Sequence, residues 1–366
     1  MLATLPPGEA ADHRAARRWR GDSAATELAS SRVYVVILNW NGWRHTIECL
    51  ESVLQLRGVS VVAVVCDNGS SDGSLEQIVS WASADTPAER TAFLPHGPVA
   101  KPLDHELLRR SQVEQGARTQ AQVVLIDNGA NLGFAGGCNV GIRFALAQAD
   151  CSHVWLLNND SVVPADSLQA LLAFVRVRPG VGICGSQVRY YDRPGIVQSF
   201  GGLLNRWLCT THSIACGDPA DAELRHPSHI DFVPGASMLV SRAFLERTGL
   251  MAEGYFLYFE EIDWAERGRP AFQPAVCPAS LVFHHGSASI GSPSEKSDRG
   301  LRSEYYLLRG RLLFARRFYP ARLPVVYLGL LGSLLARLKR GQWVRARIAA
   351  CVALGIRPAA LDSGST

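Results

Sequence analysis

Four times between residues 33 and 178, a short apolar run ends at a cluster of small polar residues and a helical pattern follows. The first run, Val33-Tyr-Val-Val-Ile-Leu38, stops at Asn39-Trp-Asn-Gly42, after which Ile47, Leu50, Val53 and Leu54 recur at helical spacing. The second, 61–66, stops at Asp67-Asn-Gly-Ser-Ser-Asp72. The third, 123–126, leads to a Gly-rich segment, 133–141, that opens a helix. The fourth, His153-Val-Trp-Leu-Leu157, stops at Asn158-Asn-Asp-Ser161 before a helix that runs to about residue 178. Strand, polar loop and helix in alternation specify βαβ units, hence an α/β class with a mainly parallel sheet. Runs that are apolar throughout, rather than alternating, mean that helices cover both faces. Ligands bind such sheets at the carboxyl ends of the strands, which here are the polar clusters.

The rest of the chain is less regular. Residues 1–30 are rich in Ala, Arg and Asp, lack the apolar segment of a secretion signal, and read as a flexible extension. Residues 83–121 have weak periodicity and read as an insertion with a short helix near 103–110. After about residue 181 shorter strands and loops are expected. From 301 to 366 helical patterns return at 305–318, 323–338 and 344–354. Nine cysteines, an odd number without C-x-x-C spacing, argue against a disulfide framework or structural zinc, and fit small buried hydrophobes in a reducing cytoplasm. With a net charge of only +4, nothing points to nucleic acid.

Asp160 can hold Mg²⁺ or Mn²⁺, which prefer oxygen ligands, although Asn158-Asn159-Asp160 is equally the composition of a turn. Asp67 with Asn68, and Asn39 with Asn41, end two other strands and carry the same two readings. Gly133, Phe134 and Asn139 sit where a helix start could cradle a diphosphate, but the segment lacks the lysine of a P-loop. Glu260, Glu261 and Asp263 place three carboxylates within four residues. They suit a general base, or the acidic first turn of a helix. His284 and His285 follow a strand and point to opposite faces, so one at most should line a site.

Taken in order, these stretches resemble glycosyltransferase family 2, in particular its bacterial rhamnosyltransferase-like branch. The resemblance spans about residues 32–310 and also includes Pro234-Gly-Ala-Ser237. It implies a GT-A fold over residues 31–300, with 181–300 as an acceptor-binding half. It implies contacts from Asn39 and Asp67 to the nucleotide, with Asn41, Asn68, Gly133, Phe134, Asn139, Asn158 and Asn159 around the nucleotide-sugar. Asp160 then binds the divalent metal with His284 beside it, and Glu261 is the base, with Glu260 as a substitute. The family more often has Asp at the base position, so Glu261 sets its carboxylate about 1.5 Å further out. Asn is also usual where Cys138 and Gly310 stand.

The chemistry implied is transfer of a sugar with inversion, from a nucleotide-diphosphate donor (rhamnose on dTDP by resemblance) to a glycan or lipid-linked acceptor. A nucleotide-sugar binding module without catalysis, and less readily a nucleotidyltransferase, are the rival readings. The apolar stretch 324–336 is about 13 residues, short of the ~20 that span a bilayer. Arg337, Lys339, Arg340, Arg345 and Arg347 follow it, which suits either a monotopic segment on the cytoplasmic face of the inner membrane or the packing helices of a soluble domain.

Overall fold

The computed structural model describes residues 32–84, 99–221, 229–286 and 300–358. The extension 1–30 therefore lies outside the described residues, as does part of the 83–121 stretch.

The chain begins β1 (Arg32–Asn39), α1 (Trp43–Val53), β2 (Val61–Asp67), α2 (Ser74–Ser83). It continues β3 (His105–Arg109), α3 (Arg110–Glu114), β4 (Val123–Asp127), α4 (Gly133–Ala147), β5 (Cys151–Asn158), β6 (Ser161–Val162) and α5 (Ser167–Arg176). Alternate residues of β1 serve opposite faces. Val33, Val35 and Ile37 pack beneath α1, α2 and α5, while Tyr34 and Val36 pack with the buried side of α4. This double coverage is why the runs 35–38, 61–66, 123–126 and 154–157 carry no polar side chain.

The second half runs β7 (Val181–Tyr190), β8 (Val197–Ser199), β9 (Gly202–Asn205), β10 (Thr210–Ser213), β11 (Ser237–Ser241), α6 (Arg242–Thr248), α7 (Glu260–Gly268) and β12 (Gln273–His284). A ten-stranded sheet has the order β3-β4-β2-β1-β5-β11-β7-β12-β6, with β8 beside β7. β3, β4, β2, β1 and β5 are parallel, as are β7 and β12. β11 is antiparallel to both its neighbours, β5 and β7. β9 and β10 form a separate two-stranded ribbon.

Two sequence expectations need correction. The segment at 103–110 is not helical: His105–Arg109 is an edge strand in the main sheet, and the short helix follows it. Its apolar residues are too few to announce a strand, because one side of β3 is solvent. After 181 the strands do not simply shorten. β7 has 10 residues and β12 has 12, so one sheet carries both halves.

Three C-terminal helices, α8 (Leu301–Phe318), α9 (Leu323–Lys339) and α10 (Trp343–Ala353), form a third core with the 255–259 segment. Tyr305, Leu308, Leu312, Val326, Leu330, Ile348 and Val352 are buried in it. Buried Glu304 pairs with Arg337 at 2.6 Å and with Arg345 at 2.7 Å, clasping the three helices together. Two of the five basic residues that a monotopic segment would turn to a membrane are thus turned inward. Pro320–Lys339 is 20 residues long and, by length and composition alone, long and apolar enough to cross a membrane, longer than the sequence suggested. Leu328, Leu331 and Leu335 share one exposed face of α9.

Seven cysteines are buried, and all nine are free thiols.

Candidate active site

The carboxyl ends of β1, β2 and β5 meet in a hydrogen-bonded row. Asn39 Nδ2 donates to Asp67 Oδ1 at 2.6 Å, directly across the parallel register. Thr46 Oγ1 donates to Asn39 Oδ1 at 2.7 Å, and Asn159 Nδ2 donates to Thr46 Oγ1 at 3.1 Å. The other Asp67 oxygen accepts from the Ser70 amide at 3.0 Å. Asn39 and Asp67 are fully or almost fully buried. Asn41, with φ +51°, ties the β1 loop to the β2 loop through Ser70 and Ser71. These three residues brace the loops, and it is Trp40 and Asn68 that face the open space.

That space is a cavity of about 580 Å³, within the usual range for a small-molecule site. Its wall includes Asn68, Asn131, Gly133 and Phe134 on one side and Asn158, Asn159, Asp160 and His284 on another. Asn68 is held by four partners: its Nδ2 donates to Asn131 Oδ1 and the Gly133 carbonyl, and its Oδ1 accepts from the Leu132 amide and Asn128. Gly133 has φ +74°, and a Cβ there would come within 2.5 Å of the Phe256 carbonyl. The Phe134 amide donates to that carbonyl at 2.7 Å. Only glycine permits both the turn and this approach.

Asp160 Oδ1 and His284 Nε2 are 3.0 Å apart, and Asn158 Nδ2 is 3.1 Å from the same ring nitrogen. Gln198 Oε1 lies 2.7 Å from His284 Nδ1 and orients the ring. Burial would raise the Asp160 pKa, but the His284 ring, and then His45, hold it down to about 2, so the carboxylate is charged. A carboxylate oxygen and an imidazole nitrogen 3.0 Å apart match an adjacent pair of ligands on a cation with ~2.1 Å bonds. The donor set therefore fits a divalent metal.

The three acidic candidates have different surroundings. Asp263 is wholly buried, paired with Arg267 at 2.7 Å and Arg317 at 3.0 Å, and accepts from the Tyr255 hydroxyl at 2.9 Å. It fastens α7 to α8, which corrects its reading as a catalytic carboxylate. Glu260 is buried near Cys138. Glu261 is half-buried. Each glutamate has one oxygen buried without a hydrogen bond. Burial raises both carboxyls, Glu260 further because of Glu261, and Glu261 reaches about 7. The cavity wall beside them is Phe256, Leu257 and Tyr258. Phe256, Tyr258 and Phe259 all have positive φ, from +65° to +74°, a strained path for non-glycine residues.

Residues 31–295 match the family described as Glycosyltransferase like family 2. The chain belongs to this family. Its fold is that of GT-A glycosyltransferases: GalNAc-T7, solved with UDP, GalNAc and Mn²⁺, superposes with a TM-score of 0.52 at 13% identity, over 81% of this chain and 50% of that one. The Low-salt glycan biosynthesis hexosyltransferase Agl10 of Haloferax volcanii is 26% identical over 144 residues, 39% of this chain and 45% of that protein. The N-acetylglucosaminyl-diphospho-decaprenol L-rhamnosyltransferase of Mycobacterium tuberculosis is 25% identical over 218 residues, 52% of this chain and 67% of that protein. The chain thus spans less than half the length of the first of these relatives.

In this family 2 chain, Asn139 is a further correction. It is fully buried and binds the Met251 amide and carbonyl and Glu253, so it anchors the segment before 256–259 rather than facing the cavity. Sequence reasoning missed Trp40, Asn131, Arg302, Tyr306 and Arg357, all on the wall. Arg357 gave no signal, because only the packing of α8 to α10 returns the chain to the sheet. Tyr306 stacks on Phe256 at 4.7 Å between ring centres.

Proposed function

We propose that this chain is an inverting glycosyltransferase that takes a sugar from a nucleotide-diphosphate donor and delivers it to a glycan or lipid-linked acceptor. The observation that carries this reading is the Asp160 carboxylate with the His284 ring beside it, on the wall of a cavity at the carboxyl end of a GT-A sheet. Asp160 and His284 would hold Mg²⁺ or Mn²⁺, the ion bound in the GalNAc-T7 structure being Mn²⁺. When bound, such an ion neutralises charge on the departing diphosphate. Arg302 and Arg357 bring two more positive charges to the same wall. Asn131, Asn158 and Asn159 offer neutral hydrogen bonds to the nucleotide-sugar, while Asn68, its amide fully engaged, holds the loop that carries Asn131. Glu261 is the base that takes the acceptor proton. Its raised pKa leaves it protonated in acid and able to accept a proton above neutrality.

The rhamnosyltransferase and hexosyltransferase relatives support a hexose or deoxyhexose donor, with dTDP-rhamnose the first to try. The exposed α9 face, with Lys339, Arg340 and Arg347 beside it, supports a peripheral position on an anionic, cytoplasmic membrane surface. A panel of nucleotide-sugars with Mn²⁺ or Mg²⁺, scored for nucleoside diphosphate release, tests the whole reading. Release with one donor, abolished by chelation and by Asp160→Ala, is expected. Donor binding without release from any member would leave a binding module instead.

A further inference from the structure

Close to Asp160, and not among the residues of the cavity wall, stand three residues the transferase chemistry does not use. His45 and Glu48 are one turn apart on α1, and His285 is the first residue after β12. One ligand atom from each, a ring nitrogen from either histidine and a carboxylate oxygen from Glu48, lies within 4.8 Å of the other two, and all three side chains are half-buried. His285 Nε2 is 3.4 Å from Glu48 Oε2, yet this nitrogen is buried and makes no hydrogen bond. The other Glu48 oxygen accepts from the Tyr191 hydroxyl at 2.6 Å, and the Tyr191 ring stacks on His285 at 3.6 Å between centres. The His45 and His285 rings are 4.8 Å apart.

We infer that His45, Glu48 and His285 form a second metal site, selective for a zinc-class transition ion. Two imidazoles and one carboxylate are the ligand types such ions favour, and Mg²⁺ avoids a set so rich in nitrogen. Within the group only His285 Nε2 and Glu48 Oε2 come within ion-pair distance, and the His285 nitrogen has no well-formed hydrogen bond, which leaves it available to an ion. Tetrahedral bonds of ~2.1 Å put ligand atoms about 3.4 Å apart, so the set closes by rotating its side chains. Tyr191 orients the carboxylate from outside, as the supporting partners of metal ligands do. The ion's role is positioning. The His285 amide donates to the Asp160 carbonyl at 3.0 Å, so an ion joining α1 to the end of β12 fixes the loop that presents Asp160.

This site is separate from the diphosphate site and does not depend on the transferase reading. Full-length protein is stripped with chelator, given Zn²⁺ alone, passed over a desalting column and analysed for metal. One zinc per chain is expected for the wild type and for Asp160→Asn. His45→Ala and Glu48→Gln, checked for folding by circular dichroism, are expected to lose at least tenfold in zinc affinity. Should His45→Ala not fold, Glu48→Gln and X-ray absorption of the zinc-loaded wild type decide, the latter expected to show two imidazole nitrogens. The site is overturned by a wild type that retains no zinc, by loss of zinc in Asp160→Asn, by sulfur ligation, or by either variant binding as tightly as the wild type.

Discussion

Glu261 has two consequences that separate experimentally. Its carboxyl is raised from an ordinary value of 4.5 to about 7 by burial. As a base it must be ionised, so kcat/KM should fall about tenfold per pH unit below about 7, and Glu261→Gln should lose 10²-fold or more at every pH. Near-normal turnover by Glu261→Gln would remove the assignment. Stability moves the other way. Between about 4.5 and 7 the folded chain holds a proton that the unfolded chain has released, so this group's stabilisation is complete below 4.5 and is lost as pH rises through 7. Glu260, raised for the same reason, should therefore show a gain: Glu260→Gln at pH 8 should melt a few degrees higher than the wild type. At this scale the sequence named Asp160 and His284, which the cavity wall brings together, and offered Glu261 as the base from type and position. It could not separate residues that face the cavity from those that brace it. Asn39, Asp67 and Asn139 have the same polar chemistry as Asn68 and Asn158, and only the register and the loop contacts decide which way each one points.

Among the elements, the 256–259 segment is the one held by its neighbours against its own preferences. Gly310 on α8 makes its path possible: a Cβ there would meet the Phe259 ring at 2.9 Å and the Tyr258 carbonyl at 3.1 Å. Arg309 donates to the Gly254 and Tyr255 carbonyls from the same turn. Gly310→Asn, which restores the residue more usual in the family, should here push Tyr258 and Phe259 outward. The expected cost is about 1–3 kcal/mol in urea unfolding, together with a raised donor KM. An unchanged KM would mean that the segment does not shape the donor site. The βαβ units were legible because their strands are buried on both faces. β3 was not, since an edge strand with one wet side lacks the apolar run, and the positive φ values of three aromatic residues leave no mark on a sequence at all.

For the whole molecule, the three C-terminal helices are tied to one another by the buried Glu304 carboxylate. Glu304→Ala would remove the carboxylate that Arg337 and Arg345 share, a change that costs about 3 kcal/mol or more where such pairs are buried. It should expose α9 and α10 to limited proteolysis and, by releasing the chain before Arg357, raise the donor KM. Charge reversal at Lys339, Arg340 and Arg347 should weaken binding to anionic vesicles by about 1 kcal/mol per residue at low salt, and should not alter donor hydrolysis in solution. Flotation that is unaffected by the triple reversal would take the membrane out of the account. Three helices could be read from periodicity, but their arrangement could not, because the Glu304 clasp is a long-range pairing.

Arg357 lines the cavity, and Ile356, the residue before it, is half exposed with Leu354 close by. The last helical residue of α10, Ala353, lies four positions back, which limits the intervening chain to about 14 Å. If the α9–α10 face rests on lipid, this short tether acts as a gauge. It holds the mouth of the reaction chamber at one fixed height above the bilayer, so that the enzyme selects acceptors by how far they protrude before any sugar is recognised.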